Sequence, residues 1–171
     1  MGKAVVIALL LVCLIGGAGI WYTQTRAFWD RVDGPVALAV EGDTFPAASV
    51  EAIASRSSPL GFRACFAHTL DVDALDAVPR ANPAPTVPPG WFGCFDAEAV
   101  AALIASGEAQ AFTAFENAAY GVDRVVALAA DGRGWAWHEL NDCGRRDYAG
   151  TPVGDECPDR EAFEPLREEG T

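Results

Sequence analysis

Lysine is almost missing from this chain. Lys3 is the only one, and eleven arginines supply the other cations against twenty-four carboxylates. Such an acidic surface repels polyanions at long range, so nucleic acid is excluded as a partner and broad attraction to anionic headgroups with it. Histidine is scarce too: only His68 and His138 can offer an imidazole. The absence of Cys-x-x-Cys removes the ordinary thiol-oxidoreductase motif, and without Cys-x-x-Cys-His there is no haem attachment. No Gly-x-Ser-x-Gly elbow or Ser-x-x-Lys pair activates any of the serines. Gly132-Arg133-Gly134 lacks the Gly-Lys-Ser/Thr of a phosphate loop, and no helix starts there. No cofactor is expected, and no internal repeat is visible.

What the chain does have is a long apolar run. Residues 4–22, AVVIALLLVCLIGGAGIWY, contain no charge, amide or proline. As a helix they reach roughly 28 Å, close to the hydrocarbon thickness of a bilayer, about 30 Å. Met1-Gly2-Lys3 would serve a secretory leader as well. The run is longer than a usual leader core, however, and ends in bulky Ile20-Trp21-Tyr22, with Gly17-Ala18-Gly19 a weak cleavage site. Cys13 lacks the small preceding residue that a lipoprotein cysteine wants. An uncleaved anchor contacting membrane lipid is therefore the expectation. Trp21, Tyr22, Phe28 and Trp29 suit the far lipid–water interface. The short N-terminal tail and the cysteines favour N-terminus in, domain out, although the cation count on the two sides does not decide it.

Beyond the anchor, the length suits one small domain. Its core has to be modest, because thirty-two residues of the chain are alanine. Cys65, Cys94, Cys143 and Cys157 are an even set, which in an exported domain reads as two disulfides. Of the three connectivities, Cys65–Cys94 with Cys143–Cys157 closes the shortest loops, each constraining the unfolded chain by roughly 3 kcal/mol.

Residues 23–35 read as a stalk that could continue the helix to Gly34-Pro35, and Val36–Val40 with Glu41-Gly42-Asp43 as a strand and turn. Residues 46–56 look weakly helical, with Val50, Ile53 and Ala54 on one side. Residues 62–70 alternate like a strand, and 71–77 hold one helical turn. Residues 79–89 carry five prolines, which forbids a central strand or a helix interior. Asp96 is placed to cap a helix over 97–106, stopped by Gly107, with Val100, Leu103 and Ile104 as its buried stripe. Residues 109–115 read as a strand and 116–121 as irregular. Asp131-Gly132 between 124–130 and 133–140 is a hairpin signal, with Trp135 and Trp137 on one face. Helix on a small, mostly antiparallel sheet makes an α+β domain. The expected boundaries are an anchor at 1–22, a stalk at 23–35, a periplasmic domain at 36–157, and a charged, frayed tail at 158–171.

Three constellations could carry function. Cys65-x2-His68 and His138-x4-Cys143 form a soft-metal donor set, but strand geometry points each pair to opposite faces and disulfides would consume the sulfurs. Asp123, Arg124, His138 and Glu139 could meet around the hairpin as an acid–base cluster, and His138 as general base, oriented by Asp123 or Glu139, would make a small periplasmic enzyme; salt links and a satisfied strand histidine are the plainer reading. Trp91 and Phe92, at the end of the proline-rich approach, are the candidate partner-binding residues. Large aromatics beside a cysteine more often close a core edge.

The strings RACF, GWFGCFDAEAV, YGVDRVVALAADGRGWAWHELN and the closing Cys-Pro, behind a short anchor, resemble a family of small alphaproteobacterial membrane-anchored proteins known only as a domain of unknown function. The resemblance implies a bacterial inner-membrane setting and brings no activity or site residues. The functional expectation is an anchored periplasmic interaction or assembly module that meets another inner-membrane or periplasmic protein.

Overall fold

A computed structural model of the chain describes residues 2–166. Helix α1 (Gly2–Thr25) is 24 residues long, none of them buried, and it is long and apolar enough to cross a membrane. Among the described residues the remaining elements form one six-stranded antiparallel sheet, a two-stranded ribbon, one further α-helix and a 3-10 turn at Val72–Ala74, within the helical turn expected over 71–77. In chain order the strands and the α-helix are β1 (Trp29–Arg31), β2 (Ala39–Val40), β3 (Asp43–Thr44), β4 (Ala48–Ser55), β5 (Phe62–Ala67), α2 (Ala97–Ser106), β6 (Ala109–Ala119), β7 (Val122–Ala129) and β8 (Arg133–Leu140). The sheet order is β1-β4-β5-β8-β7-β6, and β2 pairs with β3. The α+β class is as the sequence predicts.

Both faces of the sheet are covered at its centre, so the central strands bury residues on both sides. β7 is buried at all eight positions. Val126, Leu128 and Ala136 lie in one core with Phe62, Phe66, Phe112 and the β2–β3 ribbon. Val125, Ala127, Trp135 and Trp137 lie in the other, beneath α2 and with Phe92 and Phe95. The Asp131-Gly132 hairpin thus places its two tryptophans under the helix, as their spacing predicts. α2 also starts and stops as read: the Asp96 carboxylate accepts the backbone N–H of Glu98 and Ala99 at 3.0 and 3.1 Å. Gly107 ends it in the left-handed region at φ 79°, where a side chain would cost energy.

Three local expectations are corrected. Residues 48–55 form strand β4, not a helix, pairing with both β1 and β5. A bulge between Ala48 and Glu51, with Ser49 at φ 51°, breaks the two-residue alternation and leaves a helix-like spacing of apolar residues. Its Ala52 and Ile53 serve opposite cores, which only a strand covered on both faces permits. Residues 116–119, read as irregular, continue β6 through two register shifts. The expected stalk is also partly structured, since Trp29–Arg31 is the edge strand beside β4.

The charged segment after Cys157 touches the end of β6 at two points. Phe163 meets the Tyr120 ring edge-on at 5.8 Å, and Leu166 N–H donates to the Ala118 carbonyl at 2.8 Å. Residues 167–171 of the expected frayed tail lie outside the described residues. Elsewhere on β6 the outer edge is met by backbone donors. Glu41 and Gly42 give to the Thr113 and Ala114 carbonyls, and Arg80 N–H gives to Ala111.

The Cys65–Cys94 pair ties β5 to the end of the proline-rich approach, with Cα atoms 6.2 Å apart. Cys143–Cys157 closes the polar turns after β8 at a Cα separation of 5.5 Å. Phe92 is 2% exposed, so truncating it opens a cavity between α2 and the sheet. Phe92→Ala should destabilise the domain by about 3–5 kcal/mol, read as a lowered denaturant midpoint with an unchanged slope.

Candidate functional site

The expected acid–base cluster of Asp123, Arg124, His138 and Glu139 does not converge. In the β7–β8 register Asp123 faces Glu139 and Arg124 faces His138. Neighbours along a strand point to opposite faces, so the four residues divide into two pairs with the sheet between them.

On the α2 face, Asp123 and Glu139 hold Arg80, a residue the sequence analysis did not single out. Arg80 Nη1 lies 3.1 Å from Asp123 Oδ2, and Nε lies 3.0 Å from Glu139 Oε2. Nη1 also gives to Thr113 Oγ1 at 2.8 Å. The remaining carboxylate oxygens are satisfied as well. Asp123 Oδ1 accepts from Asn117 N–H and Asn141 Nδ2, and Glu139 Oε1 accepts from Trp137 Nε1 and Ala84 N–H. The network fastens the proline-rich strap over the sheet. Its visible signal was a lone arginine in a proline-rich stretch, which no spacing rule connects to strands forty residues further on. The same arginine borders a cleft of about 720 Å³ with Glu41, Thr113 and Phe115.

On the other face, His138 stacks on Phe62 with ring centres 4.8 Å apart. Its Nδ1 lies 2.6 Å from the Pro59 carbonyl, and Arg124 Nε gives to its Nε2 at 3.1 Å. Those partners assign the proton to Nδ1 and occupy the Nε2 lone pair that a general base would use. Burial, and then the charge of Arg124, push its pKa from 6.5 down to about 3. A base works best with a pKa near the working pH, and His138 is far from that. It holds the turn at Pro59.

The metal-donor set is also dispersed. Cys65 and Cys143 are in the two disulfide pairs. His68 is held by backbone on both nitrogens, with Nε2 3.2 Å from the Arg133 carbonyl and Nδ1 accepting Leu70 N–H.

Trp91 and Phe92 part company. Phe92 belongs to the core and presents nothing to a partner. Trp91 is half-buried, and its Nε1 donates to the Thr25 carbonyl at the end of α1, 2.7 Å away. Arg26 and Arg31 lie over its ring at 5.5 and 5.7 Å. Arg56 adds a second tie across the same joint, Nη2 to the Ala27 carbonyl at 2.8 Å. The proline-rich approach itself is open: Val78 and Val87 are 75% and 76% exposed.

A long apolar N-terminal helix joined to a double-faced α+β domain with two cysteine pairs defines the class of protein. Residues 36–158 match a family described as Family of unknown function (DUF6446), and the chain belongs to it. Neither the curated proteins nor the solved structures contain a match.

The lowered pKa of His138 gives stability a pH dependence. The unfolded chain takes up a proton near pH 6.5, whereas the folded one does so only near pH 3. Between those values the unfolded state binds more protons, so stability is full above pH 6.5 and falls as pH drops toward 3. The slope attributable to this residue is at most about 1.4 kcal/mol per pH unit. Melting temperature followed from pH 7 to pH 4 should fall, and it should fall less steeply in His138→Gln.

Proposed function

We propose that the chain is a membrane-anchored periplasmic interaction or assembly module of a bacterial inner membrane. Its N-terminus is cytoplasmic, and its domain docks another inner-membrane or periplasmic protein. The observation that carries this reading is the joint at Trp91. Thr25, Arg26 and Arg31 all engage that one side chain, so the domain is fixed to the end of its anchor and does not swing on a tether. A fixed domain offers neighbours in the bilayer a constant face, which is what assembly demands and what a soluble substrate does not. The two disulfide pairs support an oxidising compartment.

The proposed contact surface is the proline-rich approach, with the exposed edge of Trp91 but without Phe92. Its prolines hold the backbone extended at reduced ordering cost, and Val78 and Val87 stand out as apolar side chains beside it. The enzyme reading with His138, Asp123 and Glu139 draws no support from their separation by the sheet. The metal-carrier reading loses its sulfurs.

Two tests follow. A reporter fused after residue 40 should be active in its periplasmic form and silent in its cytoplasmic form, and the reverse pattern overturns the topology. Crosslinking from native membranes should capture a specific protein with the wild-type chain and lose it with Val87→Asp, while the melting temperature stays unchanged. Equal capture by the variant removes the proline-rich surface from the proposal.

A further inference from the structure

At the junction of anchor and domain lies an open cleft of about 340 Å³, in which Phe28, Trp29 and Leu60 stand beside polar side chains. Thr23 and Gln24, from the last turn of α1, line one part of it. Ser55, Ser57 and Ser58 line another, and the buried Arg63 completes it. Gly61 lets the turn close this tightly, since a Cβ there would lie 2.2 Å from that of Ser55. Two buried groups hold the turn in place. Arg63 Nη1 donates to the Leu60 carbonyl, and His138 Nδ1 to that of Pro59.

Arg63 is the unusual member. Its Nε gives to the Thr86 carbonyl, and its Nη1 to those of Leu60 and Phe62. All three acceptors are neutral. Among the described residues no carboxylate lies within ion-pair distance of it, and its Nη2 has no acceptor. Burial lowers its pKa to about 10, so the guanidinium stays charged at physiological pH. A buried cation without a counter-charge is costly to fold around, and three serine hydroxyls line the same space. Guanidinium with hydroxyls is a donor set matched to a phosphate group.

Depth selects which phosphate. The apolar run ends at Tyr22, so Thr23 and Gln24 stand at headgroup level when α1 spans a bilayer. We propose that this cleft binds the phosphate of a phospholipid headgroup in the leaflet from which α1 emerges. The proposal rests on reading α1 as a membrane anchor. The acidic domain does not forbid it, because charges beyond a screening length of about 8–10 Å are largely damped while a buried cation acts at contact. The lipid would then be a structural ligand that fixes how the domain stands on the membrane.

The test uses the full-length chain in a phosphate-free maltoside detergent, followed by native mass spectrometry. One phosphatidylglycerol should be retained per chain, and diacylglycerol, which lacks the phosphate, should not. Ser57→Ala/Ser58→Ala removes one exposed and one half-buried hydroxyl, the latter accepting Leu60 N–H in the turn, and circular dichroism with the melting temperature checks that the fold is kept. The double variant should weaken retention by about tenfold, in keeping with hydrogen bonds to a charged group; Arg63→Lys, which loses the planar fork, should weaken it further. Equal retention of diacylglycerol, or retention unchanged in both variants, overturns the site. Inorganic phosphate that binds as tightly as the lipid and displaces it overturns the headgroup assignment in favour of free phosphate. Alkaline carbonate extraction of native membranes separates the two layers of the argument. A chain stripped by carbonate defeats the anchor reading itself, whereas a chain that stays in the membrane but fails the lipid titration defeats only this site.

Discussion

The β7–β8 pairing, covered on both faces, is the constraint on which the rest depends. A strand exposed on one side can send its polar residues to water, but β7 is buried at every position. Each charge it carries must therefore find a partner inside the protein. Asp123 does so by recruiting Arg80 from the strap, and Arg124 by meeting His138 and the Ala37 carbonyl. The strap, the β2–β3 ribbon and the turn at Pro59 are thus positioned by side chains of two central strands. The order of events runs from alternation, to burial, to polar satisfaction, to the placement of loops.

That dependence explains why residues that look reactive in the sequence are quiet in the fold. Asp123, His138 and Glu139 combine the side chains of an acid–base site with the burial that often accompanies one. What they lack is a common space. The sheet separates His138 from the two carboxylates, and each is held by hydrogen bonds. The buried cation without a charged partner among the described residues is Arg63, one strand away on β5.

Elements governed by local chemistry were legible in the sequence. The Asp96 cap, the Gly107 stop, the Asp131-Gly132 turn and the shared face of Trp135 and Trp137 each follow from a few adjacent residues. The long uncharged run was equally plain. β4 was not legible, because a bulge at Ser49 disturbs its alternation and the alternation is the only signal a strand emits. Nor was the role of Arg80 or of Trp91. Both depend on contacts with segments more than thirty residues distant, Arg80 with Asp123 and Trp91 with Thr25, and nothing near either residue announces its partner. Phe92 and Trp91 are adjacent in sequence yet opposite in fate, which only the path of the strap over α2 and β5 decides.

The treatment of the sheet's two margins bears on crowding. Proteins anchored in a bilayer meet one another in two dimensions with similar orientation, a condition that favours strand-to-strand polymerisation wherever a margin is open. Here one margin is the three-residue β1, carrying Asp30 and Arg31, too short and too charged to template another chain. The other, β6, already has carbonyls taken by Glu41, Gly42, Arg80 and Leu166. The acidic terminal segment, which resembles a dispensable tail in sequence, covers the far end of that margin through Leu166 N–H on Ala118 and Phe163 on Tyr120, so less of β6 stays open to pair with another chain.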